Sequence, residues 1–132
     1  MAKLTAEMSN FIKKERDPST VFVGTSNKDG VPNISAKGTF ISILDDETLA
    51  YADTYSLKTL KNVRQNPHVT IAVINAQTYK GYQFKGLAEV VESGPLLDEA
   101  RKQNPQVTSV TKVRIQEVYL LDYGPQAGKK VA

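Results

Sequence analysis

The stretch Thr48-Leu49-Ala50-Tyr51-Ala52-Asp53-Thr54-Tyr55-Ser56-Leu57-Lys58-Thr59-Leu60-Lys61-Asn62-Val63 changes character in its middle. Its first part is a β-rich run, entered from the acidic turn Asp45-Asp46-Glu47. Its last part sets Leu57, Leu60 and Val63 on one stripe at helical spacing. Ser56 is a suitable N-cap, since its hydroxyl can accept an orphan N–H of the first turn, and Asn66-Pro67 stops the helix. The pattern predicts a helix over 56–65 fed directly by a strand. A helix start of this kind offers unpaired N–H groups and a positive dipole end, a ready place for phosphate. Lys58 and Thr59 fall in the first turn, with Lys61 and Asn62 one turn on, so ammonium and hydroxyl groups could join the backbone donors. The same residues would also serve a capped helix with a solvated lysine face.

Working outward, Leu4, Met8, Phe11 and Ile12 follow helical spacing and predict an amphipathic first helix, stopped by Asp17-Pro18. Val21 to Ser26 is a β-rich run, and Asn27-Lys28-Asp29-Gly30 is a turn. A strand is expected from about Asn33 to Leu44, with alternation through Thr39-Phe40-Ile41-Ser42-Ile43. Val69 to Ile74 is the next strand, and Tyr82-Gln83-Phe84-Lys85 opens another, with Gly86 marking a bulge or a close backbone approach. Pro95 to about Gln103 suits a short helix, and Val113 to Tyr123 the last strand. Successive hairpins argue for antiparallel pairing. The expected fold is therefore mainly β, a six-stranded antiparallel barrel with three short helices, closed because closure removes exposed sheet edges.

The 132 residues fit one domain spanning 1–132. With no cysteine there is no disulfide, thiolate chemistry or cysteine-held metal, and a lone His68 cannot make a multi-histidine site, so no metal is expected. The N-terminal stretch has no apolar h-region, and no apolar run approaches the ~18 residues of a membrane span, so the expectation is a cytoplasmic protein. Lys and Arg number 17 against 14 Asp and Glu, an excess that suits a small anion. A nucleic-acid-binding barrel would need a basic groove with interleaved aromatics; these strands carry Ser, Thr and Ala at least as often as Lys with Tyr or Phe, so no nucleic-acid partner is expected.

Several residues read as structural. His68 follows a turn, and the tyrosines suit core or interface positions, with Tyr55 alone beside the phosphate segment. Asp45, Asp46 and Glu47 read as a solvated turn, and Gln126 to Ala132 as a frayed end.

From Asp29 to Val91 the chain resembles the pyridoxamine-5′-phosphate-oxidase-like FMN-binding split barrels, in particular their small FMN-binding proteins. The ordered motifs are Asp29-Gly30, Pro32 to Ala36, Asp45 to Leu49, Ser56 to Val63, Asn66-Pro67-His68-Val69 and Phe84-Lys85-Gly86-Leu87-Ala88-Glu89-Val90. The resemblance implies a Greek-key split barrel with FMN as cofactor. It sets Lys58 and Thr59 on the FMN phosphate, with Asn62 as a polar helper. Ser35, Ala36 and Lys37 would meet the polar edge of the isoalloxazine ring, and Ala52, Asp53 and Thr54 would lie along the ribityl chain and ring. Gly81 and Tyr82 would approach the cofactor of a second subunit, in a homodimer with FMN at the interface. Lys37 near the ring would stabilise the reduced flavin's negative charge.

The resemblance has a departure. Val118-Tyr119-Leu120-Leu121-Asp122-Tyr123-Gly124-Pro125 lacks the basic strand motif by which pyridoxamine-phosphate oxidases hold their substrate, which speaks against vitamin B6 oxidation. What remains is an FMN-dependent oxidoreductase or an electron carrier, its donor, acceptor and catalytic residues unassigned. The flavin does the hard chemistry, so no protein nucleophile is required. An alternative keeps the fold but binds haem or a deazaflavin without catalysis of its own.

Overall fold

The computed structural model describes residues 2–15, 21–37, 41–55 and 57–132. Among them, helix α1 (Ala6–Glu15) precedes strands β1 (Val21–Ser26), β2 (Pro32–Ala36), β3 (Ile41–Ile43) and β4 (Thr48–Asp53). Then follow α2 (Leu57–Gln65), β5 (His68–Asn75), β6 (Lys80–Val91), α3 (Pro95–Gln103) and β7 (Ser109–Leu120). The seven described strands form one antiparallel sheet in the order β2-β1-β5-β6-β7-β4-β3.

The expected barrel thus has seven strands, because the long strand read from Asn33 to Leu44 divides. Its halves, β2 and β3, lie at opposite edges of the sheet, so the chain crosses from one edge to the other between them. The expected alternation at Thr39 and Phe40 falls outside the described residues, as do the stop at Asp17-Pro18 and the cap at Ser56.

Local chemistry sets the elements. The Thr5 hydroxyl accepts the Met8 N–H at 3.2 Å and caps α1. The Asn27 carboxamide accepts the N–H groups of Asp29 and Val31, and Gly30 takes φ 82°, closing the β1–β2 turn. Gly86 sits at a register shift between β6 and β7, where a Cβ would lie 2.2 Å from the Arg114 carbonyl oxygen; the expected bulge and close approach are one feature.

The main core joins Met8 and Ile12 of α1 to Val21, Val23, Leu49, Tyr51, Ile71, Val73, Phe84, Val113 and Ile115. A smaller core lies under α3, where Leu97 and Ala100 meet Ala50, Ala52, Val107 and Val110. Alternate residues of β4 therefore face the two cores.

The end of the chain corrects an expectation. Gln126 to Ala132 was expected to fray, yet Val131 N–H donates to the Val118 carbonyl at 2.8 Å and Leu120 N–H to that of Lys129 at 2.8 Å. The reason is sheet geometry. β4 pairs only with Ser109 to Arg114 of β7, leaving the far half of that edge to be filled. No described helix is long and apolar enough to cross a membrane.

Candidate functional site

Where β4 runs into α2, the walls of a cavity of about 270 Å³ come together. Asn33, Ile34, Ser35 and Ala36 of β2 form one side. Thr54 and Tyr55, just past β4, and Leu57, Lys58 and Thr59 of α2 form the other. The Ser35 and Thr59 hydroxyls lie 3.0 Å apart, and the Asn33 carboxamide donates to the Thr59 hydroxyl at 3.5 Å. Thr59 is buried while Lys58 is exposed, and among the described residues Lys58 makes no ion pair. The start of α2 thus combines orphan N–H groups, two hydroxyls and one ammonium at a single opening. That donor set fits a phosphate group: all three donor types favour an anion. Asn62, one turn on, donates to the Thr25 hydroxyl at 3.2 Å and ties α2 to β1 behind the opening.

Lys37 and Asp53 lie behind the cavity wall. Lys37 follows the last residue of β2, donates its N–H to the Val21 carbonyl at 3.0 Å, and is only 4% exposed. Its Nζ faces Asp53 Oδ1 at 3.6 Å and stands 4.9 Å from the centroid of the Tyr51 ring. Asp53 is 1% exposed, and its Oδ2 accepts from Ser109 Oγ at 2.9 Å and Thr111 Oγ1 at 2.8 Å. Burial pushes the Lys37 pKa down, and the Asp53 carboxylate opposes that shift. Burial also pushes the Tyr51 phenol up, with the Asp53 charge adding to it. Ala52 turns the other way, into the small core under α3.

The structure therefore gathers Ser35, Ala36, Thr54, Lys58 and Thr59 around one cavity, with Lys37, Ala52, Asp53 and Asn62 set behind it. Gly81 and Tyr82 do not line it. The Gly81 N–H donates to Asp122 Oδ1 at 3.2 Å, and Tyr82 packs edge-on against Phe11 with ring centroids 5.3 Å apart. Sequence reasoning missed Asn33 and Ile34 as lining residues, and Ser109 and Thr111 as the seat of Asp53. The second pair left a signal: two hydroxyl residues at strand period beside Val110 and Val113.

A larger groove of about 620 Å³ shares Asn33 and Ile34 with the cavity and extends over Thr25, His68, Thr70, Lys85 and Glu117. At its border Ile34 is 73% and Val31 58% exposed, both on β2 or its approach.

A mainly antiparallel barrel with a few short helices is the split-barrel architecture expected from the sequence. Residues 4–122 match the family described as pyridoxamine 5′-phosphate oxidase. An uncharacterized protein of Methanocaldococcus jannaschii is 37% identical over 140 residues, covering all of this chain and 90% of that protein. A crystal structure of HupZ from Group A Streptococcus is 26% identical with a TM-score of 0.79, covering 95% of this chain and 99% of that one. A crystal structure of an FMN-binding protein from Syntrophomonas wolfei shares the fold at a TM-score of 0.72 and 13% identity, covering 89% of this chain and 90% of that one. The chain belongs to the pyridoxamine 5′-phosphate oxidase family.

Proposed function

We propose that the protein is a cytoplasmic flavoprotein that holds FMN by its phosphate at the start of α2 and works as an oxidoreductase or electron carrier. The observation that carries this reading is the Ser35–Thr59 hydroxyl pair beside the exposed Lys58 at the α2 opening. Lys58 supplies charge, Thr59 and Ser35 supply hydroxyls, and the first N–H groups of α2 complete the set. The edge of β2 at Ser35 and Ala36 and the turn at Thr54 offer short side chains and backbone groups to the rest of the cofactor. FMN, when bound, supplies the redox chemistry.

The cavity of about 270 Å³ is below the roughly 300–1,000 Å³ that encloses a ligand of this size. A second copy of the chain covering β2 would bury Val31 and Ile34 and enclose the ring, which favours a homodimer with FMN at the interface. Gly81 and Tyr82 are buried within their own subunit, so the second subunit would contribute backbone and neighbouring groups of that segment, not the Tyr82 ring. With Val118 to Pro125 lacking a basic motif, vitamin B6 oxidation stays outside the proposal.

The test is the visible spectrum of the purified protein before and after adding FMN and gel filtration. Flavin bands that remain with the wild type and are lost in the Lys58→Ala/Thr59→Ala variant are the expected result. A wild-type protein that cannot retain FMN removes the reading, and haem or deazaflavin bands in its place transfer the fold to another cofactor.

A further inference from the structure

The two walls of the α2 cavity, β2 on one side and the segment that leaves β4 for α2 on the other, come from strands that are not neighbours. β2 lies at one edge of the sheet, and β4 is separated from it by β1, β5, β6 and β7, so among the described residues no ladder of backbone hydrogen bonds fixes the gap between them. Side chains must span it. At the opening the Ser35 and Asn33 side chains reach Thr59. Behind the opening Asn62 ties α2 to β1, and the Lys37–Asp53 ion pair makes the second link between the walls themselves, one residue beyond Ala36 on one and one residue before Thr54 on the other.

That second link is built to hold position. Both side chains are buried, so drawing the ammonium and the carboxylate apart would be costly. Asp53 cannot swing, because two hydroxyls from β7 grip its Oδ2 and aim Oδ1 at the lysine. Lys37 is tied to β1 through its own N–H and lies against the Tyr51 ring. The carboxylate is thus a fixed post on β7 and β4, and the ammonium fastens the β2 side to it.

Resting on the proposed FMN reading, we infer that Lys37 and Asp53 are positioning residues: a buried clamp that sets the spacing between Ser35-Ala36 and Thr54 to Thr59, and so the grip on the phosphate. They act through the wall and do not touch the cofactor. Loss of the clamp widens the site where the phosphate sits, while a flavin lacking phosphate loses only its weaker contacts with Ala36 and Thr54.

The experiment compares FMN with riboflavin, which has no phosphate, by fluorescence titration of wild type, Lys37→Met and Asp53→Asn. Wild type is expected to prefer FMN strongly. Each variant is expected to weaken FMN at least tenfold and riboflavin less than twofold, closing the gap between the two ligands. Ser109→Ala, which removes one of the two hydroxyls holding Asp53, is expected to weaken FMN about threefold and leave riboflavin unchanged. It reads the clamp even if the charge variants fail to fold. Equal losses for both ligands would mean that Lys37 touches the ring, and unchanged affinities for both would mean a core ion pair with no bearing on the site; either overturns the clamp. A wild-type protein that binds neither flavin removes the flavin reading, and one that binds both equally removes the phosphate grip; either takes the clamp with it and is visible before any variant is made.

Discussion

The interior behind the α2 cavity and the opening itself each hold one lysine close to the same two walls, and the two lysines have opposite circumstances. Lys37 is 4% exposed and spends its charge on Asp53, with hydroxyls fixing the carboxylate from the far side. Lys58 is exposed beside a helix start. A buried ammonium must be compensated within the fold, so it can order structure but has little left for a ligand. An exposed ammonium costs the fold almost nothing and keeps its charge for an arriving anion. The site therefore separates the charge that shapes it from the charge that serves it.

The sharpest way to break this contrast is Asp53→Ala. It leaves the Lys37 ammonium buried without its counter-charge, and a loss of about 3–5 kcal/mol in denaturant unfolding is expected. A loss under about 1 kcal/mol would mean that the interior lysine is compensated by groups other than Asp53.

Gly86→Ala probes close packing by shape alone, at the bulge between β6 and β7. Its new Cβ would meet the Arg114 carbonyl oxygen at 2.2 Å, backbone against backbone, so β6 and β7 must shift. A destabilisation of roughly 1–3 kcal/mol is expected, read from the thermal midpoint.

At the opening, Lys58→Ala should do the reverse. Stability is expected to change by no more than about 0.5 kcal/mol, while FMN affinity falls about tenfold, ~1.4 kcal/mol, with a weaker dependence on salt. Titration at two salt concentrations checks both parts.

Tyr51→Phe is the smallest change and tests the interior through pH. The folded chain holds the Tyr51 proton more tightly than the unfolded chain, whose phenol ionises near ~10. That contribution is fully present below pH ~10 and is lost as pH rises above it, because the unfolded state then releases a proton that the folded state keeps. The variant is expected to stay within about 1 kcal/mol of wild type at neutral pH and to lose less stability on the alkaline side.

Much of this was written locally in the chain. The periodic apolar residues of α1 and α2, the Asn27-Lys28-Asp29-Gly30 turn, Pro95 at the start of α3 and the bulge glycine at position 86 act within a few residues of themselves, so their chemistry is visible in sequence. The Lys58-Thr59 helix start was legible for the same reason. The break in the long strand at Lys37 was not, because alternation continues on both sides while the two halves go to opposite sheet edges. Nor was the paired C-terminal stretch, whose order depends on an edge of β7 that β4 leaves open.

The sequence by itself determined the β-rich class, the hairpin turns and the helix start suited to phosphate, since each follows from near-neighbour spacing and the intrinsic geometry of a few residue types. Only the tertiary structure decided which lysine is buried and which is free. Lys37 and Lys58 carry the same charge on the same side chain; their difference in burial arises when the sheet curls and brings Asp53, held by Ser109 and Thr111, to the end of a strand far away in the sheet order.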